Sequence, residues 1–346
     1  MIEDFLAAYG QLSENATGQI ALRPLAPEHL RFRNPTLAAW LPGAGSTDEP
    51  ASTELAHESA PSKDRSASAK SPPPPPLAEK LRLAARFLLR RASILAGVRQ
   101  KRWLPTEPFP PFRLAKLPAD ELRALRHAAA LQSVTVNDLL IRDAFLAIAA
   151  WNAQHARRPW RRWLRLAMPT NLRSRAHNDL PAANVMSYAF LDRRREDCQD
   201  PQALLAGIAE ESRIIRAGNL SLEFLLGLDI ASRWPRLFRA AIGFRRCMAT
   251  VALTYLGDPT RRFVERFPRR DDGKIVSGNV ALTLIAGCPP IRELTRAAVT
   301  TGTYGGELTV GLRADRRWFS ESDAQRFLDS IVERLRASMV DHGGTA

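Results

Sequence analysis

Cysteine is scarce in this chain of 346 residues: Cys198, Cys247 and Cys288 stand far apart, and no Cys-x-x-Cys occurs. That spacing excludes a paired-cysteine zinc site and gives no disulfide framework, so three buried free thiols are the expectation. Long hydrophobic runs are missing as well. The longest apolar stretches, such as 280–286, are strand-length and far short of the roughly 18–20 residues that cross a bilayer. The opening Met1-Ile2-Glu3-Asp4-Phe5 lacks the basic-then-apolar order of a signal peptide. The expected location is therefore cytoplasmic, with peripheral membrane contact as a variant. Gly-x-Ser-x-Gly, Gly-x-x-x-x-Gly-Lys and His-Glu-x-x-His are all absent, which removes serine hydrolase, P-loop and zincin chemistry. Asp271-Asp272-Gly273 reads as a turn, because the alternating carboxylates and closing glutamate of a calcium loop are not there. No metal site is expected. Lysine is scarce too, so the net charge of +14 is carried by arginine. Such a surface suits nucleic acid, anionic lipid or the phosphates of a nucleotide cofactor, and charge alone does not choose among them.

What is present divides the chain into four parts. Residues 1–42 read as a short helix and a loop, with Ile2, Phe5, Leu6 and Tyr9 on one stripe that has nothing before it to pack against. Residues 43–76 are rich in Gly, Ser, Ala, Glu, Lys and Pro and end in five prolines, Pro72–Pro76. They bury too little apolar surface to offset their ordering entropy, which predicts a disordered insertion with a stiff end. Residues 77–110 predict a basic amphipathic connecting helix, with Leu81, Ala84, Ala85, Leu88 and Leu95 against Lys80, Arg82, Arg86, Arg90, Arg91 and Arg99. Such a helix lies either on a membrane surface or on the protein itself. From 111 to 340 the chain is compact.

Within that last part, Phe112–Leu117 reads as a strand. Pro118-Ala119-Asp120-Glu121 opens a helix to Leu131. A helix from Asn137 to about Trp151 is apolar almost all round. Strands follow at 164–170 and 184–191, and helices at 201–217, 221–230 and 235–247, the first closed by Gly218. Thr250–Leu256 is a strand ending in the turn Gly257-Asp258-Pro259. Lys274–Ala286 reads as a long strand or a bulged pair. Arg296–Thr303 and Glu307–Arg313 flank Tyr304-Gly305-Gly306, a hairpin signal. Ser320-x-x-Asp323 is a capping box that opens a final helix to about Val340. Strands and helices mixed in this order predict an α/β sandwich, a mixed sheet packed with helices.

Two segments carry a resemblance. Val134-Thr135-Val136-Asn137-Asp138-Leu139-Leu140 opens the apolar helix, and the strand after it ends in Pro169-Thr170-Asn171-Leu172-Arg173. This pair resembles the second half of the coenzyme-A-dependent acyltransferase superfamily, which includes peptide-synthetase condensation domains, wax ester synthase/diacylglycerol acyltransferases and alcohol acetyltransferases. Asn184 falls where wax ester synthases carry Gly-Asn, here preceded by Ala183. Thr254-Tyr255-Leu256-Gly257-Asp258-Pro259 resembles their Ser/Thr-Asn-Leu-Gly strand end, with Tyr255 replacing asparagine. Pro289-Pro290, the 304–308 hairpin and Trp318-Phe319-Ser320 resemble the closing segment. The likeness spans about 112–340. It implies a chloramphenicol-acetyltransferase-like two-layer sandwich with an incomplete N-terminal lobe. Residues 1–12 resemble the helix that follows the family's catalytic His-His-x-x-x-Asp-Gly, a motif the chain does not contain.

The implied chemistry is general-base catalysis: a histidine takes the proton of a hydroxyl or amine acceptor, which attacks an acyl thioester. None of His29, His57, His127, His155, His177 and His342 is paired or followed by Asp-Gly at the family spacing. The expectation is therefore an acyltransferase lobe without its catalytic residue, using no bound cofactor and taking acyl-coenzyme A or an acyl-carrier thioester as co-substrate. Asn137, Asp138, Arg173, Asn184, Thr254 and Tyr255 are expected to line one wall of the channel. Thr135 and Asp138 also form a capping box, and Asp138 and Arg142 stand four apart as helix partners, so a structural role for the Asn-Asp pair is at least as well supported. Arg157, Arg158, Arg161 and Arg162, interleaved with Trp160 and Trp163, either contact coenzyme A phosphates or form a loop whose indoles anchor on the core. The alternative reading is a non-catalytic interaction protein that meets a membrane surface or an acidic partner. Nucleic-acid binding is the least favoured, since aromatics are only 7% and no recognition motif occurs.

Overall fold

The computed structural model describes residues 2–14, 86–100 except Leu88, 112–156, 163–171, 186–217, 247–261 and 264–340, together with Arg233 and Arg236. The predicted segment 43–76, the helix expected at 221–230, the Gly218 cap and all of the helix expected at 235–247 except Arg236 and Cys247 lie outside these residues. In chain order the elements are α1 (Ile2–Glu14), β1 (Arg113–Leu117), α2 (Ala119–Leu131), α3 (Val136–His155), β2 (Trp163–Asn171), β3 (Met186–Arg194), α4 (Pro201–Ala217), β4 (Val251–Tyr255), β5 (Val276–Ser277), β6 (Val280–Ala281), β7 (Ala297–Tyr304), β8 (Glu307–Ala314) and α5 (Glu321–Val340).

Six strands form one mixed sheet in the order β1-β8-β7-β4-β2-β3. The inner trio β2, β4 and β7 is parallel, and β3, β8 and β1 run antiparallel to their neighbours. Alternation along each strand decides which face is dry. Leu164 and Leu166, Val251 and Leu253, Ala297 and Val299, and Leu308, Val310 and Leu312 all point to the helices and join their core. On that face α5 packs between α2 and α3, with α4 on the far flank of α3. Helix α3 is buried from Asp138 through Ile148, which explains a sequence apolar all round: its neighbours leave it almost no solvent side. The expected sandwich of a mixed sheet and helices is what the chain forms. Among the described residues, no helix is long and apolar enough to cross a membrane.

Three expectations need correction. Residues 90–100 are not helical but run extended across the ends of β2 and α3. Their backbone groups find partners far away in sequence: Ser93 N donates to Trp163 O at 2.8 Å, Ala96 N to Asn152 Oδ1 at 2.7 Å and Gln100 N to Arg317 O at 2.9 Å. With Ala92 and Leu95 wholly buried, tertiary contacts override the helical spacing of the leucines. Of the long strand or bulged pair expected over 274–286, the long strand does not form; a short pair does, the two-residue strands β5 and β6, antiparallel and apart from the main sheet. The stripe on α1 is covered in part, at Leu6 and Tyr9, while Phe5 stays 68% exposed. Leu6 is buried against Ile275 and Tyr304, Ser277 Oγ donates to Leu6 O at 2.6 Å, and Tyr9 OH donates to Asn279 Oδ1 at 2.8 Å. Gly10 makes that approach possible, since a Cβ there would stand 2.5 Å from Ser277 Oγ.

The 86–100 segment is held by a buried arginine. Arg165, on the sheet face away from the helices, is 1% exposed. It grips Asp192, its cross-strand partner, through Nε–Oδ1 at 2.6 Å and Nη2–Oδ2 at 2.9 Å. Its remaining donors reach Phe87 O at 3.2 Å and Arg90 O at 3.3 Å, and its plane lies 4.6 Å from the Phe87 ring centroid. The guanidinium thus meets a carboxylate, two carbonyls and an aromatic face at once, the pairing that a buried cation requires.

Candidate functional site

The site begins at the N-terminus of α3. Thr135 is the N-cap: Asp138 N donates to Thr135 Oγ1 at 3.2 Å, while Asp138 Oδ2 accepts from Thr135 N at 3.0 Å and from Thr135 Oγ1 at 2.7 Å. Asp138 is 1% exposed and its Oδ1 has no hydrogen-bond partner. Asn137 is half-buried beside it. The expected Asp138–Arg142 pair does not form. Arg142 turns to Asp143, Nε–Oδ1 2.8 Å, and to Ser338 on α5. The sequence rule placed the right spacing, but Asp138 is already spent on the cap. Burial pushes the Asp143 carboxyl above its ordinary range, against the pull of Arg142 and Ser338.

Connectivity carries this helix end to the sheet. Six residues separate Ala156 from Trp163, and the 93–96 segment ties Trp163 O to Asn152, so the C-terminus of α3 lies at the start of β2. The 20 residues of α3 and the nine of β2 each span about 30 Å. Antiparallel passage then brings Asn137 to the carboxyl end of β2, where β4 and β7 also finish. The carboxyl ends of parallel strands are where open α/β sheets form their ligand crevices.

Thr254 and Tyr255 lie at that end but cannot share a wall. They are adjacent on β4, so they point to opposite faces. Tyr255 packs against the helix-side core, whereas Thr254 pairs in register with Thr300 and faces away. The single wall expected for Asn137, Asp138, Thr254 and Tyr255 is therefore two faces of one strand end. Arg173 and Asn184, and the arginines Arg157, Arg158, Arg161 and Arg162, lie outside the described residues. Trp163 is sandwiched between Arg90 at 3.7 Å and Arg194 at 4.9 Å from its ring centroid, which favours the anchoring role for that indole.

The sheet's second face holds a concavity that sequence reasoning missed. Thr300, Gly302, Thr309 and Gly311 form its floor, Ile285–Gly287 its roof, and Leu114, Leu256 and Pro259 its sides. The signal was in the strands: Gly302 and Gly311 sit inside otherwise good β sequence, where glycine marks close approach of a backbone or a ligand. Thr254 Oγ1, on this face, is buried without a hydrogen-bond partner, whereas its register neighbour Thr300 shares a side-chain hydrogen bond with Cys288.

The described histidines offer no base here. His127 is exposed on α2. His155 stacks on Trp151 at 3.9 Å with Nδ1 3.0 Å from Trp151 O. It lies at the far end of α3, about 27 Å along the helix from Asn137. Of the three thiols expected to be buried, only Cys247 is. Cys198 and Cys288 are half-buried, and burial pushes each up to about 11. Among the described residues no cluster of His, Cys, Asp and Glu is arranged to hold a metal. Asp258 closes its predicted turn by accepting from Thr260 N at 2.8 Å.

No protein-family model matches the sequence, and no curated protein matches it significantly. Solved structures do. The first condensation domain of the calcium-dependent antibiotic synthetase, known in complex with substrate analogues, superposes with a TM-score of 0.55 at 12% identity, over 99% of this chain and 62% of that one. The epimerization domain from the third module of tyrocidine synthetase B gives 0.50 at 17% identity, over 76% of this chain and 56% of that one. The chain thus spans less than two thirds of either domain. At such identities the likeness establishes the architecture alone: the mixed sheet and its helical layer have the fold of the condensation and epimerization domains of peptide synthetases.

Proposed function

We propose that this chain supplies one lobe of a condensation-type acyltransferase, which moves an acyl group from a carrier-protein or coenzyme A thioester to a hydroxyl or amine. The observation that carries this reading is the fold: a condensation-domain sheet whose parallel strands end beside the capped N-terminus of α3. In this reading Thr135 and Asp138 hold α3 in place, Asn137 and Thr254 edge the crevice on its two faces, and Tyr255 supports β4 from the core. These are positioning roles. The reaction also needs a base to take the acceptor's proton. His127 is exposed on α2 and His155 stands at the far end of α3, so the base is proposed to be the second histidine of a His-His-x-x-x-Asp-Gly motif on a first lobe. Wax ester synthases and alcohol acetyltransferases remain the finer subtypes that the motif order suggests. The membrane-surface alternative loses part of its basis, because residues 90–100 lie extended on the fold rather than in an amphipathic helix.

The test is direct. The coding sequence upstream of Met1 is read for an in-frame His-His-x-x-x-Asp-Gly, and the purified 346-residue chain is assayed alone and with a first-lobe polypeptide for acyl transfer from pantetheine thioesters. The expected result is the motif upstream, no turnover alone and turnover on complementation. Robust turnover by the chain alone would overturn the assignment of the base, and failure of every combination would overturn the function.

A further inference from the structure

Extended backbone has two sides, and residues 86–100 use both. The inward side is clamped to the fold. Ser93 O accepts from Thr250 Oγ1 at 2.8 Å, Leu95 O from Arg296 Nη1 at 2.9 Å and Ala96 O from Trp151 Nε1 at 3.0 Å. Ala92, Ser93, Leu95 and Ala96 are buried. Those anchors decide which side chains are left outside: Leu89, Arg91, Ile94, Val98 and Arg99. Three of these five are branched aliphatics, and none is an acid. Leu89 is 81% exposed, Val98 46% and Ile94 36%. Residues 89–98 thus hold three of the ten large hydrophobic side chains exposed among the described residues. A lone exposed leucine is ordinary, whereas a row along one segment asks for a partner.

The surroundings repeat this pairing of apolar and cationic groups. Trp163, bridged to Ala92, is half-buried between Arg90 and Arg194. Trp318, beside Gly97, is half-buried under Arg296, whose guanidinium lies 3.6 Å from the ring centroid. Partly wet indoles suit the boundary between water and hydrocarbon. The neighbouring acids Asp192, Glu211 and Asp315 are withdrawn into buried pairs with Arg165, Arg193 and Arg317. Exposed acids stand at the borders, Asp197 accepting from Arg194 N and Glu293 near Arg317. Between Glu79 and Glu107 the sequence carries lysine and arginine and no acid. The outward face is therefore apolar and positive together. An acidic protein surface or a phosphate backbone is met by the arginines alone and leaves the three aliphatic chains in water. An anionic bilayer takes both.

We propose that the outward face of residues 89–99 docks this chain on an anionic lipid surface. Leu89, Ile94 and Val98 enter the boundary between headgroups and acyl chains, and Arg91 and Arg99 pair with lipid phosphates and carboxylates. No amphipathic helix is needed, because the clamped backbone already presents the side chains. The segment meets the sheet at Trp163, the amino end of β2, while the crevice lies at the carboxyl end, nine residues and about 30 Å along the strand. A docked chain therefore keeps its crevice away from the lipid. The inference stands apart from the acyltransferase reading and adds the surface on which the chain works.

The test is co-sedimentation of the full chain with phosphatidylcholine vesicles, plain or with about one third phosphatidylserine. The expected result is binding to the mixed vesicles, little to the plain ones, and weakening as salt rises. Leu89→Ser is expected to weaken binding about tenfold, the scale of removing most of one leucine from an apolar boundary. Arg91→Gln and Arg99→Gln are each expected to weaken it about fivefold. All three side chains point into solvent, so the variants are expected to keep the parent's denaturation midpoint. Leu89→Trp keeps an apolar group at the boundary and is expected to bind at least as tightly as the parent, so it carries the test if the serine variant misfolds. Polyglutamate and duplex RNA are the competing probes. Binding that falls in the arginine variants but is unchanged in Leu89→Ser and in the double variant Ile94→Ser with Val98→Ser would overturn the proposal and point to an acidic partner. Equal binding to plain and mixed vesicles, tighter binding to polyglutamate or RNA than to vesicles, or no vesicle binding would overturn it as well. None of these outcomes depends on acyl transfer.

Discussion

Replacing Arg165 with methionine is the sharpest test of how this fold is held. The side chain is 1% exposed and bidentate on Asp192, itself 5% exposed. Methionine fills a similar volume but strands the carboxylate. Removing one partner of a buried pair costs about 3–5 kcal/mol, because the other charge is left uncompensated. Arg90 relieves this only in part, since its Nη1 lies 3.9 Å from Asp192 Oδ2. The carbonyls of Phe87 and Arg90 lose a donor as well, each worth about 1 kcal/mol. A loss of about 4–6 kcal/mol is therefore expected for Arg165→Met in urea or guanidinium denaturation. The double substitution Arg165→Met with Asp192→Leu removes both charges and keeps the bulk, so it is expected to regain about 3 kcal/mol and to retain only the deficit from the two carbonyls. Hydrogen exchange should show residues 86–96 opening in both variants. The reasoning is refuted if Arg165→Met costs less than about 1 kcal/mol, or if the double variant is as unstable as the sum of the single ones.

Three further outcomes are expected. Thr135→Ala removes the cap of α3 and should cost about 1–2 kcal/mol, read as a lower denaturation midpoint with an unchanged slope; Thr135→Ser should restore it. Gly311→Ala forces its Cβ against Cys288 Sγ and Gly287 O and should destabilise by about 1–3 kcal/mol, measured against Gly302→Ala, which should lie within about 0.5 kcal/mol of the parent. Cys288 and Cys198, each pushed up to about 11, hold about one thiolate in a thousand at pH 8. Alkylation by iodoacetamide should therefore be slow at that pH and rise about tenfold per pH unit toward 11, and a rate already saturated at pH 8.5 would contradict their burial.

What the sequence discloses is what depends on neighbours along the chain. The capping boxes at Thr135 and Ser320, the hairpin around Tyr304-Gly305-Gly306 and the turn at Asp258 all rest on contacts within a few residues, and each is where its motif puts it. The segment 90–100 has a helical spacing, but its backbone is claimed by Trp163, Asn152 and Arg317, and no local pattern reveals a partner more than fifty residues away. The same limit applies to the site. The Asn137-Asp138 and Thr254-Tyr255 motifs are legible as words, yet which face each residue takes follows from strand alternation and from the core that β4 packs on. The concavity on the second sheet face was hidden for another reason: a space is bounded by segments that the chain brings in from 114, 256 and 285.

The clasp between α1 and the β5–β6 hairpin sets an order of assembly. Leu6 meets Ile275 and Tyr304 across about 270 residues of chain, a loop whose closure entropy grows only slowly with length but is lost before any contact repays it. The sheet can zip from the β7–β8 hairpin outward without α1, whereas α1 has nothing to dock on until the excursion between β4 and β7 is in place. Its docking is therefore a late event in folding. Urea should release it first, and the helix then reports, from the opposite end of the sequence, whether the hairpin beside the strand of Gly302 has closed.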